Sequence, residues 1–120
     1  METEVKKITI YEKPTCTTCR NTVKILSDKG IDFEKVNYYI KPFTRNKLKT
    51  LLKKMGMKPS ELLRKNEEAF KNLKIKENNY SEMQILEFMT ANPDLVQRPI
   101  VEIGEKAILA RPAEKINELL

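Results

Sequence analysis

The chain has 120 residues, of which 40% are hydrophobic and 33% are charged, a balance typical of one soluble globular domain. No run of residues approaches the roughly 18 apolar residues of a membrane-spanning helix. Lys and Arg (23) outnumber Asp and Glu (17), but the lysines are scattered and aromatic residues make up only 7%. This pattern predicts a solvated basic surface, and we expect neither nucleic acid nor a membrane as a direct partner.

The N-terminal third predicts a strand, a helix and a second strand. Residues 5–11 are rich in β-forming side chains and predict the first strand. Residues 17–29 place Val23 and Leu26 at helical spacing and end at Gly30, a typical helix stop. Residues 31–38 alternate between apolar and polar side chains, which predicts the second strand. We expect this crossover to be right-handed.

The middle of the chain predicts a helical insert over about residues 44–93. Thr44 is suited to cap a helix that runs to Met55 and stops at Gly56. Shorter helices are expected over residues 59–63 and 67–73. Ser81, followed three residues later by Gln, predicts the capped start of a last helix that continues to about residue 92.

The C-terminal part returns to strands. Residues 99–103 and 106–110, joined at Gly104, predict a β-hairpin, and Pro112 is suited to the first turn of a final helix over residues 113–120. The order βαβ, helical insert, ββα predicts an α/β, thioredoxin-like fold with a four-stranded mixed sheet. We expect a single domain over residues 1–120, with the thioredoxin-fold core in residues 1–43 and 94–120.

The two cysteines of the chain, Cys16 and Cys19, stand between the first predicted strand and the first predicted helix. A Cys-x-x-Cys in this position is typical of a thioredoxin-like redox site. The unpaired N–H groups and dipole of a helix N-terminus stabilise a thiolate, so Cys16 is the expected attacking thiol and Cys19, one turn later, the resolving thiol. Lys13 and Arg20 add positive charge nearby.

Other interpretations of the cysteine pair remain open. Zinc prefers four nitrogen or sulfur ligands, and a chain without histidine or a third cysteine offers too few, so we expect no metal. Two inert buried cysteines are an alternative. The first four residues show no apolar signal region, and a reducing cytoplasm is the expected compartment, where such pairs tend to be catalytic or redox-sensing.

Five motifs stand in order along nearly the whole chain: PTCTTCRNT at residues 14–22, LLRKN at 62–66, NP at 92–93, RPIV at 98–101 and ARP at 110–112. Together they resemble the arsenate reductase (ArsC) family of thioredoxin- and glutaredoxin-like proteins. The resemblance implies that Cys16 attacks arsenate and that three arginines hold the oxyanion, namely Arg64, Arg98 and Arg111. It also implies a structural cis-proline at Pro99.

The chemistry of arginine agrees with this implied role. A guanidinium stays charged at any working pH and offers a planar fork of donors to the oxygens of an oxyanion. Backbone N–H groups of the loop, with Arg20 at the helix start, could complete an anion cradle. In the implied mechanism glutathione attacks the arsenate bound to Cys16, glutaredoxin reduces the mixed species, and arsenite leaves. No bound cofactor is expected.

Two positions differ from the glutaredoxin-coupled pattern of the family. Glu12 stands where that pattern has a histidine, and a carboxylate near Cys16 would oppose thiolate formation. Cys19 suggests an intramolecular Cys16–Cys19 disulfide, which thioredoxin or glutaredoxin could reduce without a glutathione adduct.

The cysteine motif also resembles the Spx branch of the same fold, and this resemblance supplies the alternative function. An Spx-like protein is a redox-sensing transcriptional regulator that binds the RNA polymerase α-subunit, with the Cys16–Cys19 disulfide as its switch. The arginine motifs favour the reductase, and another thiol oxidoreductase of this fold is the third interpretation.

Overall fold

The computed structural model describes residues 7–120, which form two units. The sheet unit consists of the described residues up to Tyr38 together with Arg98–Leu120, and the helical unit is Tyr39–Gln97. The predicted insert, residues 44–93, falls within the helical unit. That the whole chain is one domain stays a prediction.

The sheet unit contains the four strands that the sequence predicts. They are β1 (Ile8–Glu12), β2 (Glu34–Asn37), β3 (Ile100–Ile103) and β4 (Lys106–Leu109), in the order β2-β1-β3-β4. β1 is parallel to β2 and antiparallel to β3, which is antiparallel to β4. The predicted four-stranded mixed sheet is therefore confirmed. The part of the first predicted strand at residues 5–6 lies outside the described residues.

One face of the sheet packs against the helix α1 (Thr17–Asp28), which connects β1 and β2. Alternate residues of a strand point to the same face, so Ile8 and Ile10 of β1 lie on the side that meets Leu26 of α1 and Ile116 near the C-terminus. Burying an aliphatic side chain of this size contributes about 1.5–3 kcal/mol. This packing holds α1 against one face of the sheet.

α1 ends as the sequence predicts. Gly30 has a φ of +68°, the left-handed conformation that favours glycine, and its N–H donates to the carbonyl of Ser27 at 3.0 Å. The next residue, Ile31, donates its N–H to the carbonyl of Leu26 at 3.1 Å. These bonds satisfy carbonyl groups that the end of a helix leaves open.

The helical unit contains α2 (Arg45–Met55), α3 (Glu68–Asn72) and α4 (Glu82–Ala91), with 3₁₀ turns at Pro59–Leu62 and Pro93–Leu95. Both predicted caps are confirmed. Thr44 Oγ1 accepts a hydrogen bond from the N–H of Lys47 at 3.0 Å, and Ser81 forms a reciprocal capping box with Gln84. No helix among the described residues is long and apolar enough to cross a membrane.

Three predicted elements need correction. The second strand is shorter than residues 31–38, because Ile31 is bonded to the end of α1. The segment after Pro112 is a 3₁₀ helix, Ala113–Glu118, rather than an α-helix to residue 120. Its buried side chains, Ala113 and Ile116, are three residues apart, the period of a 3₁₀ helix. The segment at residues 59–63 is likewise a 3₁₀ turn.

Candidate active site

The loop from β1 to α1 presents the sulfur of Cys16 at a helix N-terminus. Cys16 is the N-cap residue of α1 in extended conformation, and its N–H donates to the carbonyl of Lys13 at 2.9 Å. Its Sγ accepts a hydrogen bond from the N–H of Cys19 at 3.4 Å. The sulfur thus takes the place of the oxygen of an ordinary capping side chain. This is the position that the sequence predicts for the attacking thiol.

The surroundings of Cys16 favour its thiolate form. Burial alone would raise the pKa of this half-buried thiol, but hydrogen bonds from Cys19 and the charge and hydrogen bond of the Arg98 guanidinium outweigh it. The pKa of Cys16 is therefore lowered from its ordinary value of 9.0. Arg20 braces the loop, donating from Nη1 to the carbonyl of Pro14 and from Nη2 to Thr17 Oγ1, each at 3.3 Å.

The second thiol, Cys19, has the opposite character. It is fully buried, and burial raises its pKa to about 12, with the neighbouring Cys16 and Glu12 acting in the same direction. A hydrogen bond from the backbone N–H of Lys13 acts against this rise. Both cysteines are free thiols in the structure. The environment therefore distinguishes a half-buried thiol whose pKa is lowered from a fully buried thiol whose pKa is raised.

The segment entering β3 brings Arg98 to the thiol, and the segment leaving β4 brings Arg111 to the backbone of Arg98. Arg98 is buried, with 8% of its surface exposed, and its guanidinium donates to the Cys16 sulfur. Arg111 is exposed and donates from Nη1 to the carbonyl of Arg98 at 3.1 Å. The Arg98–Pro99 bond is cis, as the resemblance implies, and so is the bond from Arg111 to Pro112.

The third candidate arginine, Arg64, lies in the helical unit. Its N–H donates to the carbonyl of Leu95 at 2.8 Å, beside the bridge between Leu63 and Val96. Its Nη2 lies 3.1 Å from an oxygen of Glu67, and both side chains are about a quarter exposed. The role of Arg64 as an oxyanion ligand stays a prediction.

The effect of Glu12 differs from the sequence-based expectation that it opposes ionisation of Cys16, because the pKa of Cys16 is lowered and Glu12 acts on Cys19 instead. Glu12 ends β1 on the same face as Ile8 and Ile10, and only 5% of its surface is exposed. Burial raises the pKa of this carboxyl, while the charge of Lys35 acts to lower it. Of the two thiols, Cys19 is the one whose pKa the Glu12 carboxylate raises. The alternation of β1 was the available signal, since it places residue 12 under α1.

A thiolate at a helix N-terminus, in contact with the guanidinium of Arg98, can attack an electrophilic centre that carries anionic oxygens. Within residues 7–120 no group of three or more His, Cys, Asp or Glu could hold a metal ion. The fold and these residues define a thioredoxin-like protein in which a thiol of lowered pKa stands at a helix N-terminus. Comparison with known proteins gives the family: its sequence profile matches residues 11–119, and the chain belongs to the ArsC family.

Individual relatives agree with this assignment. The arsenate reductase of Escherichia coli strain K12 is 35% identical over 116 residues, which are 97% of this chain and 82% of that enzyme. The uncharacterized protein YfgD of the same strain is also 35% identical, over 96% of this chain and 98% of its own length. Among solved structures, an arsenate reductase from Vibrio cholerae superposes with a TM-score of 0.92 at 28% identity, covering 98% of this chain and all of its own (100%).

Proposed function

We propose that this protein is a thiol oxidoreductase that reduces arsenate to arsenite through the Cys16 thiolate. The observation that carries the proposal is the contact between Arg98 and the Cys16 sulfur, which lowers the pKa of that thiol. Arsenate reductases among its relatives support the choice of substrate. The same guanidinium can neutralise the sulfur before the reaction and the oxyanion during it.

In the proposed first step the Cys16 thiolate forms a bond to arsenic, and an oxygen of arsenate leaves as water or hydroxide. Arg98 and Arg111 bind the remaining oxygens, with Arg64 as a third ligand on the strength of its motif alone. Charge-assisted hydrogen bonds from a planar guanidinium suit such oxygens, and each contributes about 1.5–3 kcal/mol. Backbone N–H groups at the start of α1 add to the anion site.

The second step needs one more thiol, because arsenic must gain two electrons. A thiolate attacks the Cys16 sulfur, a disulfide forms, and the electron pair of the sulfur–arsenic bond leaves with arsenic as arsenite. The attacking thiol is either glutathione or Cys19. Glutaredoxin reduces the first product, and thioredoxin or glutaredoxin the second. We do not propose an RNA polymerase partner, because no observation of the site favours that alternative.

Coupled assays test the proposal. Purified protein is mixed with arsenate, NADPH and either thioredoxin with its reductase or glutathione with glutaredoxin and glutathione reductase. We expect arsenate-dependent NADPH oxidation with at least one system. Cys19→Ser should abolish turnover with thioredoxin and leave glutathione-supported turnover in place. Absence of arsenate-dependent oxidation with both systems would contradict the proposal.

A further inference from the structure

Glu12 is a buried carboxyl group that the mechanism above does not use. It lies at the end of β1, on the sheet face that α1 covers. Cys19 is buried in the first turn of α1, and its sulfur accepts a hydrogen bond from the N–H of Lys13, the residue directly after Glu12. The backbone therefore holds the carboxyl and the buried thiol in one small region of the sheet unit.

Cys19 must lose its proton to act as the resolving thiol. Burial raises the pKa of Cys19 to about 12, so this thiol is protonated at neutral pH. The thiol is also fully buried, so water has no direct access to it. A protein group that accepts the proton would remove this obstacle.

We propose that the Glu12 carboxylate accepts the Cys19 proton as Cys19 attacks the sulfur of Cys16, a role that rests on the proposed function. In this step the proton passes from Cys19 Sγ to Glu12, and the Cys19 sulfur forms a bond to Cys16 Sγ. The bond between Cys16 and arsenic breaks, and its electron pair leaves with arsenite. Glu12 returns the proton to solvent after the external reductant has reduced the Cys16–Cys19 disulfide.

The groups that surround Glu12 and Cys19 support this role for Glu12. Cys16 is bonded to the substrate at this stage, and Lys13 offers Cys19 a backbone N–H, which is a donor. Lys35 of β2, whose register places it on the same sheet face, is a cation that favours the ionised carboxyl. Arg98, at the entry to β3, faces Cys16. Burial raises the pKa of Glu12, which makes it a stronger base than an exposed carboxylate.

An aromatic disulfide that releases a coloured thiolate, dithiobis(nitrobenzoate), tests the step without arsenate. The first release reports attack by Cys16, and the second reports displacement by Cys19 inside the protein. Cys16→Ser should give neither release, since Cys19 is fully buried. Glu12→Gln should slow the second release at least about tenfold at neutral pH, because general bases contribute about 10²–10⁴-fold. The first release should stay within about twofold.

The pH dependence of the second release distinguishes proton transfer from a structural role, because a structural role for Glu12 would leave that dependence unchanged. In the wild type the second release should slow as the pH falls through the raised pKa of Glu12. In Glu12→Gln it should rise steadily with pH and meet the wild-type rate in alkali, where Cys19 ionises unaided. Glu12→Asp, which keeps a carboxylate, should restore part of the rate.

Glu102→Gln is the matched control. Glu102 is a buried carboxyl of the same sheet with 9% exposure, but its register with Thr9 places it on the opposite face, where Tyr11 donates to it at 2.9 Å. This change should leave both releases unchanged. Equal slowing by both glutamine variants would overturn the proposal, as would an unchanged second release in Glu12→Gln.

A faster second release in Glu12→Gln would also overturn it, since the carboxylate would then act only by raising the pKa of Cys19. The outcome is separable from that of the coupled assay. If arsenate is not reduced while the second release depends on Glu12 as described, the proposed substrate is wrong and the proton transfer stands.

Discussion

The sheet unit and the helical unit bury different kinds of side chain. Among residues 7–120, the four buried polar residues all lie in the sheet unit: Glu12, Thr22, Arg98 and Glu102. The buried side chains of α2 and α4 are apolar, for example Leu48 and Leu86. Burying a polar group costs free energy unless it is well bonded. Thr22 donates to the carbonyl of Thr18 and Glu102 accepts from Tyr11, so these two have structural partners, whereas Glu12 and Arg98 shift the pKa values of the two thiols.

The charges of the two units differ in the same way. In the sheet unit, burial raises the pKa of Glu12 and of Cys19, while the pKa of Cys16 is lowered. In the helical unit the Arg45–Glu87 pair is 2.9 Å long with both side chains more than half exposed. An exposed pair of this kind contributes about 0.2–1 kcal/mol. We infer that the sheet unit holds the reaction chemistry.

The largest expected effect comes from removing the attacking thiol. Cys16→Ser should lower arsenate turnover by at least about 10³-fold, because the hydroxyl of serine does not ionise near neutral pH. The thermal unfolding midpoint should change little, since Cys16 is only half-buried. The coupled assay and a melting curve measure both. Turnover close to that of the wild type would show that the reactive group lies elsewhere.

Shortening a buried side chain of the helical unit should lower stability and leave the reactivity of Cys16 unchanged. Leu86 of α4 is 1% exposed, and Leu86→Ala should lower the free energy of unfolding by about 2–5 kcal/mol. The rate of Cys16 alkylation by iodoacetamide should not change below the unfolding transition. Met83→Ala, on the same helix at 47% exposure, is the control and should cost far less. A changed alkylation rate in Leu86→Ala would show that the packing of the helical unit also affects the reactivity of Cys16.

Local sequence signals predict most of the fold. The caps at Thr44 and Ser81 and the stops at Gly30 and Gly56 each depend on residues within one turn, and each is found. The closing segment differs, because the choice between an α-helix and a 3₁₀ helix depends on how Ala113 and Ile116 meet the core. Packing of this kind joins distant parts of the chain, and no short pattern records it.

The candidate site likewise has features that local sequence predicts and features that only long-range packing creates. Cys16 and Cys19 are recognisable from their spacing, and Arg98 and Arg111 from motifs. The contact between Arg98 and the Cys16 sulfur depends on the position of β3 beside β1, which only the folded sheet defines. The coupling of Glu12 to Cys19 has the same origin, since it needs α1 to lie over the end of β1.

Arg64 tests whether the reaction chemistry is confined to the sheet unit, because it is the candidate oxyanion ligand of the helical unit. Arg64→Ala should raise the arsenate KM by about tenfold or more if its guanidinium binds the oxyanion, since such bonds contribute about 1.5–3 kcal/mol. The loss of its partly exposed pair with Glu67 should cost about 1 kcal/mol or less. Arg45→Ala removes a comparable pair from the same unit and should leave KM unchanged. An unchanged KM in Arg64→Ala would confine the chemistry to the sheet unit.

Arg98 tests the electrostatics of the sheet unit. Arg98→Ala removes the charge and hydrogen bond that lower the pKa of Cys16, so that pKa should rise. Alkylation of Cys16 at pH values below its pKa should slow by about 3- to 10-fold, because the thiolate is the reacting species. Arg20→Ala removes a cation of the same loop and should have a smaller effect. Equal slowing in both variants would mean that net charge, rather than the contact, controls the thiol.

The smallest expected effect is a gain in stability. Burial raises the pKa of Glu12 above its ordinary value of 4.5, so the folded state holds this proton more tightly than the unfolded state does. The contribution of Glu12 is therefore most favourable below about pH 4.5 and is lost as the pH rises through the raised value. Glu12→Gln has no such loss and should be more stable than the wild type at neutral pH, with the difference shrinking in acid. Urea unfolding across pH measures this, with Glu34→Gln, an exposed carboxylate paired with Lys7, as the control. A wild type that stays the more stable at neutral pH would mean that Lys35 outweighs burial, and Glu12 would then be a structural ion pair.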